Sequence, residues 1–321
     1  MPEGIHHNKL NTMAAMPDTL VSVVVATYNG EKYVGLQLDS IIQQTHRNIE
    51  VIVVDDCSTD NTYSVLKKYA EDYPNIKIFA NETNAGYVKN FEKGMLLAKG
   101  NYIALSDQDD IWELDKIAIL LREIGDHEII YSNSALIDSE GNSLHKTTSD
   151  VRRQFGYSDC LMYAIGAWAP GHAMLITRDL VNRCLPFPNI VTHDFWLGFI
   201  ATTKGPLKFI SKPLVNYRQH DSNVFGSVKV KGRKKKKYTT QQEQDMLRER
   251  MKLLYDRCPD NLTEQKQAFF NLYKGYQSFS LSNDWLRMIT FFKHRDKILA
   301  YKNKSAIGKC LFCLKTFVKL V

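Results

Sequence analysis

No stretch of this chain approaches the roughly 18 consecutive apolar residues that a membrane-spanning helix needs. The first twenty residues have no apolar core of a secretory signal, and positions 1–20 are expected to form a weakly ordered leader. Six cysteines, at 57, 160, 184, 258, 310 and 313, make no pair of C-x-x-C motifs and no nearby Cys/His pattern, so a structural zinc site is not expected. Cys310 and Cys313 stand in a helical pattern near the chain end, where reduced thiols are the plainer reading. Also missing are G-x-G-x-x-G after the first strand-like run and G-x-x-x-x-G-K-[ST] anywhere, which argues against a dinucleotide cofactor and a P-loop.

Charge of one sign is scarce outside one place. The net charge is +7, and seven of the nine residues from Lys229 to Lys237 are basic; without them 35 basic residues face 35 acidic ones. A nucleic-acid binder spreads its basic residues over a face and interleaves aromatics, so no nucleic-acid partner is expected. The run reads as a solvated segment, or as one that meets something anionic. With 44% hydrophobic and 24% charged residues in 321, the composition is that of an ordinary soluble protein of one or two domains.

What is present begins with strand-like runs that end in acids. Residues 21–26 and 50–55 are β-branched and nearly continuous, the mark of strands covered on both faces. Helical spacing over 31–44 lies between them and makes one βαβ unit. A helix follows, started by Ser58 or Thr59 and running to about Tyr73, then a short strand over 76–80. Asn84-Ala-Gly86 turns into a helix over 87–98, and a strand leads into Ser106-Asp-Gln-Asp-Asp-Ile-Trp112. Beyond it the pattern predicts a helix over 114–124, a strand over 128–132, a loop entering a strand over 166–177, and an apolar helix opened by His193 and Asp194. Two short strands are expected at 207–210 and 214–217, and from Thr240 the chain turns helical. The fold class is therefore α/β, a mostly parallel sheet with helices on both faces and a C-terminal helical region. The expected division is 21–228 for the sheet domain, 229–239 for a basic linker and 240–321 for the helical region.

In an open parallel sheet, ligands bind outside the carboxyl ends of the strands. Asp55, Asp56, Asp107, Asp109 and Asp110 fall there. Carboxylates repel phosphate, and a divalent cation resolves the conflict, because Mg²⁺ takes one or two carboxylates together with ligand phosphates. The stretch reads as a site for a metal and a nucleotide.

Taken in order, Ala26-Thr-Tyr-Asn-Gly30, Val54-Asp-Asp-Cys-Ser-Thr-Asp60, Asn84-Ala-Gly86, Ser106-Asp-Gln-Asp-Asp-Ile-Trp112, His193-Asp-Phe-Trp196 and Tyr217-Arg-Gln-His220 resemble the family 2 glycosyltransferases over about 200 residues. The narrower likeness, resting on Ser-Asp-Gln-Asp-Asp-Ile-Trp and Arg-Gln-His, is to bacterial rhamnosyltransferase-like members. The resemblance implies a GT-A fold, a nucleotide-diphosphate sugar donor, Mg²⁺ or Mn²⁺, and transfer with inversion, here of rhamnose, to a hydroxyl of a growing, lipid-linked bacterial surface polysaccharide. It implies that Ala26, Tyr28, Asn29, Asp56 and Asp107 border the nucleotide, Tyr28 by stacking on the base and Asp56 by hydrogen bonding to it. Asp107 faces the ribose or a metal-bound water. Asp109 and His220 fall to the metal, Arg218, His193 and Trp112 to the diphosphate or acceptor side, and Asp194 to the catalytic base. Asp194 also suits a helix N-cap, and both roles can hold. One departure is Cys57, where the family usually has glycine. His172 is left without a role.

Two other classes remain open on the residues alone. A nucleotidyltransferase also presents acids on an α/β sheet, but it wants a basic glycine-rich loop near the start, and Thr27-Tyr-Asn-Gly30 is not basic. A non-catalytic carbohydrate-binding protein has no need of both a metal acid and a distant base. At the chain end, Ile307, Cys310, Leu311, Leu314, Phe317, Val318 and Val321 share about a third of a helix circumference, with Lys309, Lys315 and Lys319 outside it. Such a helix lies in a membrane interface, packs on the catalytic domain or meets a second subunit; the membrane reading puts the protein in the cytoplasm, on the inner face of the cell membrane.

Overall fold

The computed structural model describes residues 19–220 and 240–318. Nearly all of the expected leader, the whole of 229–239, Val321 of the closing stripe, and Lys319 and Leu320 beside it lie outside the described residues. Alternation builds the first half: β1 (Val21–Thr27), α1 (Val34–Ile42), β2 (Ile49–Asp55), α2 (Thr62–Asp72), β3 (Ile76–Ala80), α3 (Tyr87–Leu97) and β4 (Tyr102–Ser106). β1 pairs in parallel with β2 and β4, and β2 with β3. The chain thus moves outward from β1 to β3 and returns to the other side of β1, so the strand order reverses between β1 and β4. That reversal opens a crevice at their carboxyl ends.

The second half is mixed. β5 (Ile111–Trp112), α4 (Lys116–Ile124), β6 (Ile129–Ile137), β7 (Ser143–Thr147), the one-turn α5 (Thr148–Val151), β8 (Met174–Thr177), α6 (Arg178–Cys184), α7 (His193–Thr202) and β9 (Lys208–Arg218) follow. β8 lies antiparallel to β4 and β6, and β6 is parallel to β9. Among the described residues nine strands form one sheet, in the order β3-β2-β1-β4-β8-β6-β9-β5 with β7 beside β6. Alternate side chains of β1 and β2 feed two cores. Val23, Val25, Val51 and Val53 pack with Leu38, Leu66 and Leu120 from α1, α2 and α4. Val24, Ile52 and Val54 pack with Phe91, Met95, Val181 and Leu197 from α3, α6 and α7.

Two local expectations change. The separate strands at 207–210 and 214–217 are one strand, β9, whose register against β6 shifts from Ser132↔Ile210 to Asn133↔Pro213 and Ser134↔Val215. Pro213 has no N–H for the ladder, and the bulge absorbs it without ending the strand. α2 starts at Thr62, not at Ser58 or Thr59, because both of those are tied to the loop after β1: Asn29 N–H donates to Ser58 Oγ at 2.9 Å and Thr59 N–H to Asn29 Oδ1 at 2.8 Å. Asp60 Oδ1 accepts from Thr62 N–H at 2.9 Å in their place.

The helical region comprises α8 (Thr240–Arg257), α9 (Thr263–Gly275), α10 (Leu281–Lys293), α11 (Arg295–Ile298) and α12 (Ala306–Val318). Its Met251, Phe269, Phe291, Leu299 and Cys313 belong to the same buried cluster as Phe91 of α3 and Phe199 of α7. Phe199 and Phe269 meet edge to face at 5.6 Å. Among the described residues no helix is long and apolar enough to cross a membrane.

The seating of α3 depends on Gly94. A β-carbon there would fall on Val24 Cγ1 and lie 3.3 Å from Val54 Cγ2. Alanine is the better helix former, yet Gly94→Ala is expected to lower stability by about 1–3 kcal/mol through overpacking. A urea midpoint at or above that of the wild type would contradict this account.

Candidate active site

The crevice between β1 and β4 is floored by loops that bind one another before any ligand arrives. Asp55 closes β2 and accepts from Thr27 Oγ1 at 2.9 Å, Ser58 Oγ at 2.6 Å and Ser58 N–H at 3.0 Å. Asn29 (φ 49°) and Cys57 (φ 63°) both occupy the left-handed region. Side chains other than glycine pay strain there, which explains why glycine suits position 57. Gln108 grips the other side of the loop: Tyr28 N–H donates to its Oε1 at 2.8 Å, and its Nε2 donates to Tyr28 O at 3.0 Å. This clamp leaves the Tyr28 ring 46% exposed at the mouth.

Asp56 is buried and holds the turn that opens α3. Its Oδ1 accepts from Asn81 Nδ2 at 2.7 Å and Ala85 N–H at 2.8 Å, and its Oδ2 from Gly86 N–H at 2.9 Å. A carboxylate has about four acceptor positions, so one remains on Oδ2.

The acids after β4 are turned apart. Asp107 is half-exposed, with Oδ2 3.7 Å from His172 Nδ1. Asp109 Oδ2 lies 2.8 Å from His220 Nε2. Asp110 points inward, fully buried, and accepts Arg218 N–H at 3.1 Å. Ligand atoms of Asp107, Asp110 and His172 fall within 4.8 Å of one another. Beneath them Lys116, also fully buried, donates to His172 O at 2.7 Å and stands 3.3 Å from the centre of the Trp112 ring. Desolvation, then Asp109 and Asp107, push the Asp110 carboxyl well above the usual range. Desolvation holds Lys116 well below its usual value. For Asp107 desolvation acts upward, but His172, His193 and Lys116 outweigh it and the carboxyl titrates low.

Across the cleft, α7 begins at His193 with Thr192 as its N-cap. Asp194 Oδ1 accepts from Phe195 N–H at 2.7 Å and from Thr192 Oγ1. His193 is buried, stacked on Phe91 at 4.1 Å, and desolvation lowers its titration. Arg250 of α8 lies over Phe195 at 4.2 Å and Arg257 over Trp196 at 5.2 Å, so the helical region braces α7.

One cleft of about 2320 Å³ joins these parts, with Ala26, Tyr28, Asn29, Asp56, Asp107, Asp109, His193, Asp194 and His220 on its wall. Two of the expected residues are not there. Trp112 is 2% exposed in the core around α4, because β5 pairs with β9 and turns it inward; it supports Lys116 and does not line the cleft. Arg218 is 1% exposed, with its guanidinium on the carbonyls of Asp109 (2.8 Å), Asp138 (3.2 Å) and Ser139 (3.1 Å) and over the Tyr33 ring at 4.6 Å. Through Asp109 O it holds the acid loop, and it does not line the cleft as the structure stands.

His172 is the residue that sequence reasoning left out. Its Nε2 lies 3.1 Å from Ser134 Oγ and its ring stacks on Tyr217 at 4.4 Å. A polar ring inside the apolar run from 169 to 176 was the available signal. Lys116 and the wall formed by Glu243, Met246 and Arg250 of α8 had no motif to announce them.

A doubly flanked α/β sheet with a ligand cleft at its strand reversal, acids on one wall and a helix-borne carboxylate on the other, defines an enzyme of the nucleotide-binding class. Residues 22–184 match the model of glycosyl transferase family 2, and the chain belongs to that family. It is 32% identical over 219 residues to the dTDP-rhamnosyl transferase RfbG of Shigella flexneri, covering 63% of this chain and 74% of that protein. Over 222 residues it is 29% identical to the putative teichuronic acid biosynthesis glycosyltransferase TuaG of Bacillus subtilis (strain 168), covering 67% and 85%. Among solved structures, residues 1–349 of S. aureus TarS in complex with UDP-GlcNAc superpose with a TM-score of 0.58 at 19% identity, over 87% of this chain and 81% of that one. The fold is GT-A-like, and the protein is a family 2 glycosyltransferase.

The Gln108 clamp tests how the nucleotide wall is held. A β-carbon on Gly30 would fall on Gln108 Oε1, the far end of a flexible side chain. Gly30→Ala is therefore expected to displace Gln108 and lower stability by about 1–2 kcal/mol, for the loss of two hydrogen bonds of about 1 kcal/mol each partly replaced by water. An unchanged urea midpoint would show that the clamp is dispensable.

Proposed function

We propose that this glycosyltransferase moves a sugar, rhamnose, from a nucleoside-diphosphate donor to a hydroxyl of a growing, lipid-linked bacterial surface polysaccharide, with inversion at the anomeric carbon. The observation that carries the reading is the separation of two carboxylate sets on one cleft, Asp109 with His220 on the β4 side and Asp194 at the start of α7. The choice of rhamnose is supported by the likeness to RfbG, and that of a surface polysaccharide by the likeness to TuaG. The reading locates the reaction in the cytoplasm, where the donor is made, with Asp56 and Tyr28 toward the base and Asn29, Ala26 and Asp107 along the nucleoside.

The residues present fit a hard divalent cation. Asp109 Oδ2 and His220 Nε2 converge at 2.8 Å beside half-exposed Asp107, an oxygen and imidazole set suited to Mg²⁺ or Mn²⁺. When bound there, the ion supplies positive charge against the donor's diphosphate. Asp194 takes the proton of the acceptor hydroxyl as that oxygen bonds to the anomeric carbon and the bond to the diphosphate breaks. The described hydrogen bonds of Asp194 both fall on Oδ1, which fixes the carboxylate and leaves Oδ2 for the proton. His193, wedged on Phe91, keeps α7 in place behind it.

Incubation with a panel of nucleotide sugars, dTDP-rhamnose among them, should release free nucleoside diphosphate in step with acceptor extension. Release of pyrophosphate would indicate a nucleotidyltransferase, and binding without turnover a carbohydrate-binding protein. Asp109→Ala should abolish cation-dependent donor binding and leave the fold intact; full activity in excess chelator would refute the metal assignment. Asp194→Asn keeps the hydrogen bond to Phe195 but takes no proton, so the rate should fall by roughly 10²–10⁴ with donor affinity little changed. A parallel fall in affinity would make Asp194 a donor ligand.

A further inference from the structure

Two helices at the end of the chain show apolar side chains where solvent-facing residues belong. On α10, Leu281, Trp285 and Ile289 recur every four residues and are exposed, Trp285 to 56%. On α12, Leu311, Leu314 and Val318 form a second exposed stripe that Ile307 extends. The helices pack together through Arg287, whose Nε donates to Thr316 O at 2.9 Å, and Trp285 meets Phe317 edge-on at 6.4 Å, joining the stripes. The closing helix read from sequence alone is thus divided: Cys313 is buried, Cys310 and Phe317 are half-buried, and Ile307, Leu311, Leu314 and Val318 are open. α10 supplies the other half of the surface.

Charge identifies what covers it. From Lys297 to the end of the sequence there are six lysines and no aspartate or glutamate. Exposed Lys293, Lys304 and Lys315 border the apolar stripes. A second copy of the chain would bring lysines against lysines, whereas an anionic bilayer surface offers acyl chains to the stripes and negative headgroups to their borders. One amphipathic stripe gives marginal, reversible attachment; stable docking takes a further signal, here a second stripe and a basic rim.

We propose that α10 and α12 together form a docking surface for an anionic lipid bilayer. The surface goes beyond the glycosyltransferase reading and does not depend on it. Truncating α12 would uncover Cys313 and its neighbours, so exposed positions are the better probes. The full chain should sediment with phosphatidylglycerol vesicles, less so at high salt, and little with phosphatidylcholine. Trp285→Glu combined with Leu314→Glu should weaken sedimentation by more than about tenfold with the melting temperature unchanged. Lys304→Glu and Lys315→Glu should each weaken it by about fivefold. Asp194→Asn should sediment like the wild type, which separates docking from turnover. Equal sedimentation of the double variant, no preference for the anionic lipid, or a lipid-free dimer abolished by the same substitutions would each overturn the proposal, the last in favour of a second copy.

Discussion

Three carboxylates within four residues at the end of β4 repel one another, and much of the site is arranged around that repulsion. Ligand atoms of Asp107 and Asp110 fall within 4.8 Å of one another, and two unit charges that far apart in an effective dielectric near 20 oppose each other by about 3–4 kcal/mol. The chain turns the three in different directions: Asp107 into the cleft beside His172, Asp109 toward His220, and Asp110 inward to the backbone of Arg218. Buried Asp110 and Lys116 are displaced toward their neutral forms from opposite sides. Arg218 completes the arrangement by taking the carbonyl of Asp109, so β9 fixes the acid loop and delivers His220 in one stroke.

The opposite wall is held from farther along the sequence. α7 carries Asp194 at its first turn, and its ring side chains are covered by α8 through Arg250 on Phe195 and Arg257 on Trp196. Arg250 Nη2 also donates to Tyr163 O at 3.1 Å, tying α8 to the short turn beneath α7. Glu243, Met246 and Arg250 face the same cleft. The helical region therefore stands in the cleft as a wall as well as a brace, and loosening α8 would disturb Asp194 without touching the β4 side.

The strands and their acidic ends were legible in the sequence because β-branched runs covered on both faces admit few other readings. The motif loops also fell where expected, since they sit at the strand reversal that the βαβ order dictates. Legibility failed where a residue's partner lies far away in sequence. Arg218 gives no sign in the sequence of its bonds to the carbonyls of Asp138 and Ser139, 80 and 79 residues distant. Trp112 closes a motif of acids, yet its strand pairs with β9 and faces the core. His172 gave no spacing signal because its partners, Asp107 and Ser134, come from the loop after β4 and from β6. The expected break between 210 and 214 does not occur, and only the bulge against β6 shows how the ladder passes Pro213.

The bundle at the end of the chain carries its own comparison. α8 exposes Gln241, Gln242, Glu243, Glu249, Lys252 and Asp256, with Met246 as the apolar exception on the cleft wall. α9 exposes Glu264 and Gln267. These helices follow the usual partition, apolar toward the core and polar toward water. α10 and α12 share the same cluster and bury their own apolar faces in it, through Phe291 and Cys313, yet they carry a second apolar face outward. A helix needs one such face to fold, and the core contacts already provide it. Composition does not explain the second face, because the polar helices come from the same region. Exposed apolar patches of this kind mark interaction sites in soluble proteins, and the exposed lysines beside them, with no acid after Asp296, narrow the partner to one of opposite charge.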